Sequence, residues 1–111
     1  MSKDTFLTEL KAAAGAAVVF DDGATRDYYA NDIFWQPGIP PLAVVTPESA
    51  HQASEAVKVA ARHKISIVPR GGGMSYTKGY LPKNPQSIVI DTRKLNKVIE
   101  VNVADNYITV E

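Results

Sequence analysis

Residues 65–79 read ISIVPRGGGMSYTKG, and this stretch decides the fold. The apolar run at residues 65–68 is typical of a buried strand, and three consecutive glycines follow at the strand end. Glycine has no Cβ, so the backbone there is free to turn sharply, to adopt positive φ and to approach a ligand closely. Successive unpaired N–H groups in such a turn form a concave anion site. We therefore predict that this loop holds a phosphate-bearing ligand.

The segment before this loop predicts a strand followed by a helix. Residues 42–45 are apolar throughout, which is typical of a strand buried on both faces. We expect Thr46 to cap a helix whose first position is taken by Pro47, since the missing N–H of proline costs nothing there. Alanine and valine then recur at helical spacing up to residue 61. Strand, helix and strand in this order predict a βαβ unit with a right-handed crossover and a parallel strand pair.

The N-terminal third predicts smaller elements. Apolar residues at helical spacing predict a helix over residues 5–14, and an apolar run predicts a short strand at residues 16–20. Residues 26–38 show no period and contain several aromatic residues, Trp35 among them. We expect this segment to be a loop whose rings pack against the core.

The C-terminal third predicts strands. Residues 87–91 are an apolar strand, and the in-out alternation at residues 98–101 and 107–110 predicts a β-hairpin. The predicted fold class is α+β with an α/β-like character: a βαβ unit with a parallel strand pair, then a further strand and a hairpin. We divide the chain into residues 1–28, an N-terminal helix and short strand, and residues 29–111.

Composition and charge exclude several classes of function. The length of 111 residues allows one domain at most. The 12 Lys and Arg residues balance the 12 Asp and Glu residues, so no basic surplus points to nucleic acid or to an anionic membrane as a partner. The absence of cysteine excludes disulfides, thiolate chemistry and Cys-type zinc sites. The two histidines lack a third ligand, so we expect no metal site.

The first residues are polar, and no apolar stretch approaches the length of about 18 residues that a membrane span needs. We therefore expect a cytoplasmic protein that has no membrane partner.

The glycine loop does not match two common phosphate motifs. The dinucleotide fingerprint needs a glycine where Tyr76 stands, counting six places from Gly71. The Walker loop needs a glycine five residues after the first, and Tyr76, Thr77 and Lys78 stand at the three available places. A tight turn with no ligand remains the alternative. For the arginine before the glycines, the alternatives are a surface position or an ion pair with Asp91.

The order of these motifs resembles one known family. The Thr46-Pro47-Glu48-Ser49 helix start, the Pro69-Arg70-Gly71-Gly72-Gly73 loop, the strand at residues 87–91, Leu95 and the hairpin follow one another along the chain. This arrangement resembles the FAD-binding domain (PCMH-type) of the vanillyl-alcohol oxidase superfamily, from about Tyr29 to Glu111. In that family the loop wraps the FAD diphosphate with backbone N–H groups.

The resemblance implies a set of cofactor-binding residues. Those that would line the FAD diphosphate are Arg70, Gly71, Gly72, Gly73, Met74 and Ser75, with Gly79 and Tyr80 nearby. Several family members carry a histidine at the place of Met74 and bond it covalently to the flavin. This chain has methionine there, so the resemblance implies that FAD is bound non-covalently.

The resemblance also implies a larger enzyme. The family oxidises hydroxylated small molecules by transfer of a hydride equivalent to the flavin. Its FAD domain is longer than this chain, and its catalytic residues lie further on. We therefore expect residues 29–111 to be the first FAD-binding subdomain of such an oxidoreductase, inactive alone and without catalytic residues. We also expect self-association through an exposed sheet edge. The alternative is a complete, non-enzymatic module that binds an anion or a nucleotide.

Overall fold

The computed structural model describes residues 2–34 and 37–111. In chain order the elements are α1 (Lys3–Ala14), a 3-10 turn (Ala16–Val18), β1 (Val19–Phe20), α2 (Gly23–Tyr29), β2 (Ala43–Val45), α3 (Ala50–Arg62), β3 (Ser66–Arg70), β4 (Ser87–Asp91), β5 (Val98–Asn102) and β6 (Tyr107–Val110). A mixed four-stranded sheet and a separate two-stranded hairpin accompany the helices. The predicted α+β class is confirmed.

The four-stranded sheet has the order β1-β2-β4-β3. β1 runs antiparallel to β2, and β4 is parallel to both β2 and β3. The predicted βαβ strands, β2 and β3, are thus not direct neighbours, because β4 lies between them. The apolar residues 88–90 of β4 are buried, as a central strand requires. Pro69 in β3 has no N–H to donate to a further strand, so β3 suits the edge of the sheet. The strand predicted as buried at residues 65–68 is therefore a half-buried edge strand.

The two faces of the sheet carry separate apolar clusters, because successive side chains of a strand point to opposite faces. On one face, Leu10 of α1 and Val59 of α3 belong to one buried cluster with Ile88 of β4. On the other face, Tyr29 of α2 lies in a cluster with Val89. Helix α1 thus shares its core with α3, and the division of the chain after residue 28 stays a prediction.

Helix α3 begins later than predicted. Its N-cap is Ser49, whose Oγ accepts a hydrogen bond from the backbone N of Gln52 at 3.2 Å. The Gln52 side chain in turn accepts one from the backbone N of Glu48 at 2.8 Å. The prediction that Thr46 caps the helix and Pro47 opens it was wrong, since this reciprocal capping fixes the start downstream.

Part of the predicted loop at residues 26–38 is helical. Asp22 caps α2 by accepting a hydrogen bond from the backbone N of Thr25 at 2.9 Å. A helix of only two turns gives too few apolar repeats to reveal itself in the sequence. The ring of Tyr29 is buried as expected, but Phe34 is exposed, and Trp35 lies outside the described residues.

The N-terminal helix ends at Gly15, which has a φ of 104°. The chain then forms the 3-10 turn, so the strand predicted at residues 16–20 is confined to β1.

The predicted hairpin is confirmed as an antiparallel pair of β5 and β6. Its turn contains Asn106 in the left-handed region, with a φ of 55°. All seven large apolar side chains of this hairpin are exposed: Val98, Ile99, Val101, Val103, Tyr107, Ile108 and Val110. We call this surface the apolar hairpin.

Across residues 2–34 and 37–111, no helix combines the length and the apolar character needed to cross a bilayer. The same residues contain no group of three or more His, Asp and Glu side chains that would hold a metal ion.

Candidate functional site

The glycine loop, residues 71–75, leaves the sheet at the carboxyl end of β3. It borders a cavity of about 270 Å³ that opens at the carboxyl edge of the parallel strands, the usual ligand position in such sheets. The lining residues of this glycine-loop cavity are Tyr28, Asn31, Asp32, Ile33, Arg70, Gly72, Gly73, Met74 and Arg93.

The backbone of the glycine loop offers unused donors. Among the described residues, none accepts a hydrogen bond from the backbone N–H groups of Gly71, Gly72, Gly73 or Met74. Gly73 has a φ of 70°, a left-handed conformation that glycine adopts without strain. A Cβ built on Gly73 would lie 2.9 Å from Nη2 of Arg70, so the loop is in close contact with that side chain. This arrangement suits an anion that accepts several backbone hydrogen bonds.

The buried side chain of Tyr80 holds the glycine loop in place through its hydroxyl. Its side chain is 5% exposed, and its hydroxyl donates a hydrogen bond to the backbone O of Gly73 at 2.8 Å. The same hydroxyl accepts one from the backbone N of Ile33 at 3.0 Å. One phenol therefore joins the glycine loop to the segment that forms the opposite wall of the cavity.

Arg70, the last residue of β3, is buried under the loop. It is only 8% exposed, and its guanidinium carbon lies 4.6 Å from the ring centroid of Tyr80, 4.8 Å from that of Tyr29 and 5.7 Å from that of Tyr28. We call these three rings the tyrosine cage. Nε and Nη1 of Arg70 are buried and have no hydrogen-bond partner in the described part of the chain. Two donors of a buried cation are thus left unused beside the cavity.

Asp91, the last residue of β4, is fully engaged. Its carboxylate, 2% exposed, accepts a hydrogen bond from the hydroxyl of Tyr29 at 2.5 Å and others from Nε and Nη2 of Arg93, the shortest at 2.7 Å. Burial on its own raises the pKa of Asp91, but the hydrogen bonds from Arg93 and Tyr29 outweigh it and lower that pKa below the ordinary value. Burial is the main cause that raises the pKa of the Tyr29 hydroxyl, and its hydrogen bond to Asp91 raises that pKa further. The same bonds to Asp91 and Tyr29 raise the pKa of Arg93, so Asp91 is a carboxylate and Arg93 a cation at neutral pH.

The glycine-loop cavity contains charges of both signs. Arg70 and Arg93 contribute two cations, and the charge of Arg93 is matched by Asp91. Asp32 adds a carboxylate to the wall, and its Oδ1 accepts a hydrogen bond from the backbone N of Phe34 at 2.9 Å. The unused donors therefore come from the loop backbone and from Arg70.

A second, larger cavity of about 360 Å³ lies on the other side of Arg93. Its lining residues are Phe20, Thr25, Tyr29, Thr46, Asp91, Arg93 and Lys94. The Tyr29, Asp91 and Arg93 side chains bind one another, and Nζ of Lys94 binds Glu48 at 2.9 Å. This cavity exceeds the glycine-loop cavity in volume, and Oγ1 of Thr46 in its lining is buried without a hydrogen-bond partner in the described part of the chain. Its charged side chains, however, bind one another or Glu48, so we take the glycine-loop cavity as the candidate site.

The structure brings together only part of the predicted site. Arg70, Gly72, Gly73 and Met74 line the cavity. Gly71 belongs to the loop but is absent from the lining. The remaining predicted residues take three different positions: Ser75 bonds to Thr77 at 3.1 Å, Gly79 is exposed, and Tyr80 is buried below the loop. Cofactor contact by these residues stays a prediction.

Sequence reasoning missed the opposite wall and Arg93. Tyr28, Asn31, Asp32 and Ile33 come from a segment without a periodic signal, so nothing in the sequence placed them. Arg93 could have been predicted as a site residue, because it follows β4, which is parallel to β3, and residues that follow parallel strands meet at one edge of the sheet.

The histidines lie away from the loop. His63 ends α3, and its ring contacts Phe6 of α1 edge-on with centroids 5.2 Å apart. Nε2 of His63 pairs with the Glu9 carboxylate, which also pairs with Arg62. His51 is exposed on α3. At the loop position where the resemblance would place a flavin-linking histidine, this chain has Met74, whose side chain is 63% exposed.

Comparison with known families gives a match over most of the chain. A family described as "FAD binding domain" matches residues 41–111. That span contains β2, the glycine loop, β4 and the hairpin.

Individual relatives are similar along nearly the whole chain. The D-2-hydroxyglutarate dehydrogenase of Xanthomonas citri pv. viticola is 27% identical over 110 residues, which is 97% of this chain and 23% of that protein. The mitochondrial D-lactate dehydrogenase [cytochrome] of Kluyveromyces lactis is 32% identical over 120 residues, 98% of this chain and 21% of that protein. A solved structure of alkyldihydroxyacetonephosphate synthase superposes with a TM-score of 0.79 at 25% identity, covering 92% of this chain and 21% of that chain. The chain thus spans about a fifth of the length of these relatives.

Proposed function

Because this chain belongs to the FAD binding domain family, we propose that its glycine-loop cavity holds the diphosphate of FAD. The observation that carries the proposal is the set of backbone N–H groups from Gly71 to Met74 that find no acceptor among the described residues, at the carboxyl edge of the sheet. A diphosphate has the acceptor oxygens and the negative charge that such a loop binds. The residues here bind and orient the cofactor, and FAD itself supplies the capacity to accept a hydride equivalent.

We propose further that FAD is bound non-covalently. Met74, the exposed side chain of the loop, carries a thioether, which has no proton to lose and so cannot form a neutral link to the flavin as an imidazole can, and neither histidine lies in the loop. The test is the absorption spectrum of the purified chain after it is mixed with FAD and desalted. A flavin spectrum that persists after desalting and passes into the supernatant on acid precipitation supports both proposals. Flavin that stays with the precipitate contradicts the non-covalent attachment alone.

The loop assignment has its own test in the pair Gly72→Asp and Gly23→Asp. The substitution at Gly72 would bring a carboxylate against the diphosphate, and we expect FAD affinity to fall by at least about tenfold from unfavourable charge contact and lost hydrogen bonds. Gly23, the first residue of α2, has open space around it, so the same substitution there adds an equal charge away from the loop. Equal FAD affinity of both variants and the parent chain, measured by flavin fluorescence titration, would contradict the assignment.

For the longer protein we propose a flavin-dependent oxidoreductase that acts on a hydroxylated small molecule. The relatives named as D-2-hydroxyglutarate and D-lactate dehydrogenases favour a 2-hydroxy acid as the substrate class. Reduction of the bound flavin by a panel of 2-hydroxy acids, followed as bleaching of its visible absorption in the full-length protein, tests this. Bleaching by other alcohols but by no member of the panel would reject the class.

We also propose that the isolated chain self-associates through the apolar hairpin. Its exposed valine, isoleucine and tyrosine side chains lie on a two-stranded ribbon, and both outer edges of that ribbon are unpaired within the described chain. A two-stranded ribbon is marginally stable in water, and contact with a second apolar surface stabilises it.

A further inference from the structure

We propose that Met74 is a site of oxidation by hydrogen peroxide, and that its sulfoxide binds N–H groups of the glycine loop and so lowers the affinity of the loop for a diphosphate. The loss of affinity rests on the proposed function, because it concerns the same cavity. The oxidation, and the contact of the sulfoxide with the loop, do not depend on which ligand the cavity holds.

Met74 presents its sulfur to solvent at the cavity. The residue is 63% exposed, although its side chain is apolar, and it belongs to the lining of the glycine-loop cavity. The chain contains no cysteine, and its one other methionine is Met1. No thiol therefore competes for the oxidant, and the thioether of Met74 is the sulfur that a peroxide meets in the loop.

The oxidation transfers one oxygen atom and two electrons. A lone pair on Sδ of Met74 attacks one oxygen of hydrogen peroxide, the O–O bond breaks, and an S–O bond forms. The proton of the attacked oxygen passes to the leaving oxygen, which departs as water. Sulfur is oxidised to the sulfoxide and the peroxide is reduced, so the step needs no further reagent.

The side chain of Met74 lies against the glycine loop. A Cβ built on Gly72 would be 3.9 Å from Cγ of Met74, which is ordinary van der Waals contact. Sδ is bonded to that Cγ, so the sulfoxide oxygen is two bonds away from an atom that touches the loop. Because methionine is unbranched and flexible, rotation of its side chain brings this oxygen to N–H groups that have no acceptor among the described residues.

The sulfoxide supplies the same kind of acceptor that the loop would take from a ligand. Its oxygen carries partial negative charge and accepts hydrogen bonds, whereas a thioether sulfur is only a weak acceptor. When it binds the N–H of Gly71 or Gly72, it occupies donors that we assign to the diphosphate. It also places the negative end of a dipole beside the charge of the ligand, so oxidation weakens diphosphate binding.

The fold tolerates a polar group at this position. Met74 belongs to neither of the buried apolar clusters, so its oxidation removes no packing from the core. The shape of the loop depends instead on Gly73, with its φ of 70°, and on the Tyr80 hydroxyl, 2.8 Å from the backbone O of Gly73. A loss of affinity on oxidation is therefore separable from unfolding.

Nuclear magnetic resonance of the 111-residue chain, without nucleotide, tests the contact. After dilute hydrogen peroxide, peptide mass spectrometry should locate one added oxygen at Met74. The amides of Gly71 and Gly72, too far along the chain to sense the change through bonds, should shift and exchange more slowly, with an unchanged unfolding temperature. Met74→Leu keeps Met1 and should show no such shift after the same treatment. A Met74 that resists peroxide, or that is oxidised with both amides unmoved, would overturn the proposal.

Flavin fluorescence titration tests the loss of affinity. We expect the oxidised chain to bind FAD at least about tenfold more weakly than the reduced chain, the usual effect of losing a hydrogen bond to a charged group. Methionine sulfoxide reductases for both sulfoxide epimers should restore the affinity. Met74→Gln, with a permanent side-chain amide oxygen, should bind weakly without peroxide, and peroxide should not alter the affinity of Met74→Leu.

Two outcomes of this titration would count against the inference in different ways. Equal FAD affinity of the reduced and oxidised chains would reject the regulation and leave the proposed function intact. A reduced chain that binds no FAD would reject the proposed function and the regulation together, while the resonance experiment would still decide whether the sulfoxide binds the loop.

Discussion

Arg70 and Asp91 are register partners at the carboxyl ends of two adjacent parallel strands, yet they form no ion pair with each other. Asp91 is bound by Arg93 and Tyr29, and Arg70 turns to the tyrosine cage instead. The sequence left a pair between Arg70 and Asp91 open as an alternative, and the structure excludes it. This separation of opposite charges keeps a buried cation available at the cavity.

Gly73 and Gly71 provide a matched pair of substitutions in the loop. We expect Gly73→Ala to lower the free energy of unfolding by about 1–2 kcal/mol, because alanine is strained at positive φ. Its Cβ would also press on Arg70, so FAD affinity should fall as well. Gly71→Ala meets no atom within 4 Å and should change stability by no more than about 0.5 kcal/mol. Urea unfolding and FAD titration of both variants check this, and an equal loss of stability in the two would contradict the role given to Gly73.

Removal of the Tyr80 hydroxyl should loosen the loop. Tyr80→Phe deletes the donor to Gly73 and the acceptor for Ile33, and we expect a loss of about 1–2 kcal/mol in the free energy of unfolding. Tyr76→Phe is the control, since that side chain is exposed and its ring meets that of Phe34 at a tilt, with centroids 5.1 Å apart. Thermal unfolding together with amide exchange at Gly73 measures the effect. A stable Tyr80→Phe chain with unchanged exchange would show that the hydroxyl does not hold the loop.

Acid should destabilise the protein through Asp91. Because its hydrogen bonds lower its pKa in the folded state, Asp91 stabilises the fold above its unfolded pKa of about 3.9, and this contribution is lost as the pH falls through the folded value. Asp91→Asn should cost about 2 kcal/mol at pH 7 and should flatten the fall in stability below about pH 4. Asp27→Asn, on the exposed side of α2, should keep the parent profile. Identical acid profiles for the parent and Asp91→Asn would exclude Asp91 as the titrating group.

A charge on the apolar hairpin should favour the monomer. Ile108 is exposed on β6, and Ile108→Lys places a hydrated ammonium where a second apolar surface would pack. We expect light scattering to report a lower mean mass for this variant than for the parent chain at equal concentration. Val57→Lys, at an exposed position on α3, should leave the mass distribution unchanged. A monodisperse monomer in the parent chain would reject self-association outright.

The sequence predicted where the strands lie along the chain better than it predicted which strands pair in the sheet. Residues 87–91 form β4 as predicted, because a continuous apolar run bounded by turns permits little else. The insertion of β4 between β2 and β3 was not predicted, since periodicity describes one strand and not the strand beside it. Pro69 did carry a signal, because a proline within a strand favours the sheet edge.

The candidate site was predicted on one wall only. The three consecutive glycines are recognisable in the sequence itself, and Arg70 directly precedes them. The opposite wall depends on how residues 28–33 pack, and the tyrosine cage gathers rings from positions 28, 29 and 80. Contacts between such distant positions arise from the tertiary fold and leave no periodic pattern.

The connection from β3 to β4, residues 71–86, bears on how the chain acquires its structure. Within residues 2–34 and 37–111, strands β2 and β3 have no parallel partner except β4, which is the last strand of this sheet to leave the ribosome. A nascent chain that stops before residue 87 therefore possesses the glycines but neither parallel pairing nor a formed cavity. Ligand capture and completion of the sheet should then occur in one cooperative step, so nucleotide present during refolding would act on the final stage of folding and not on the early helices.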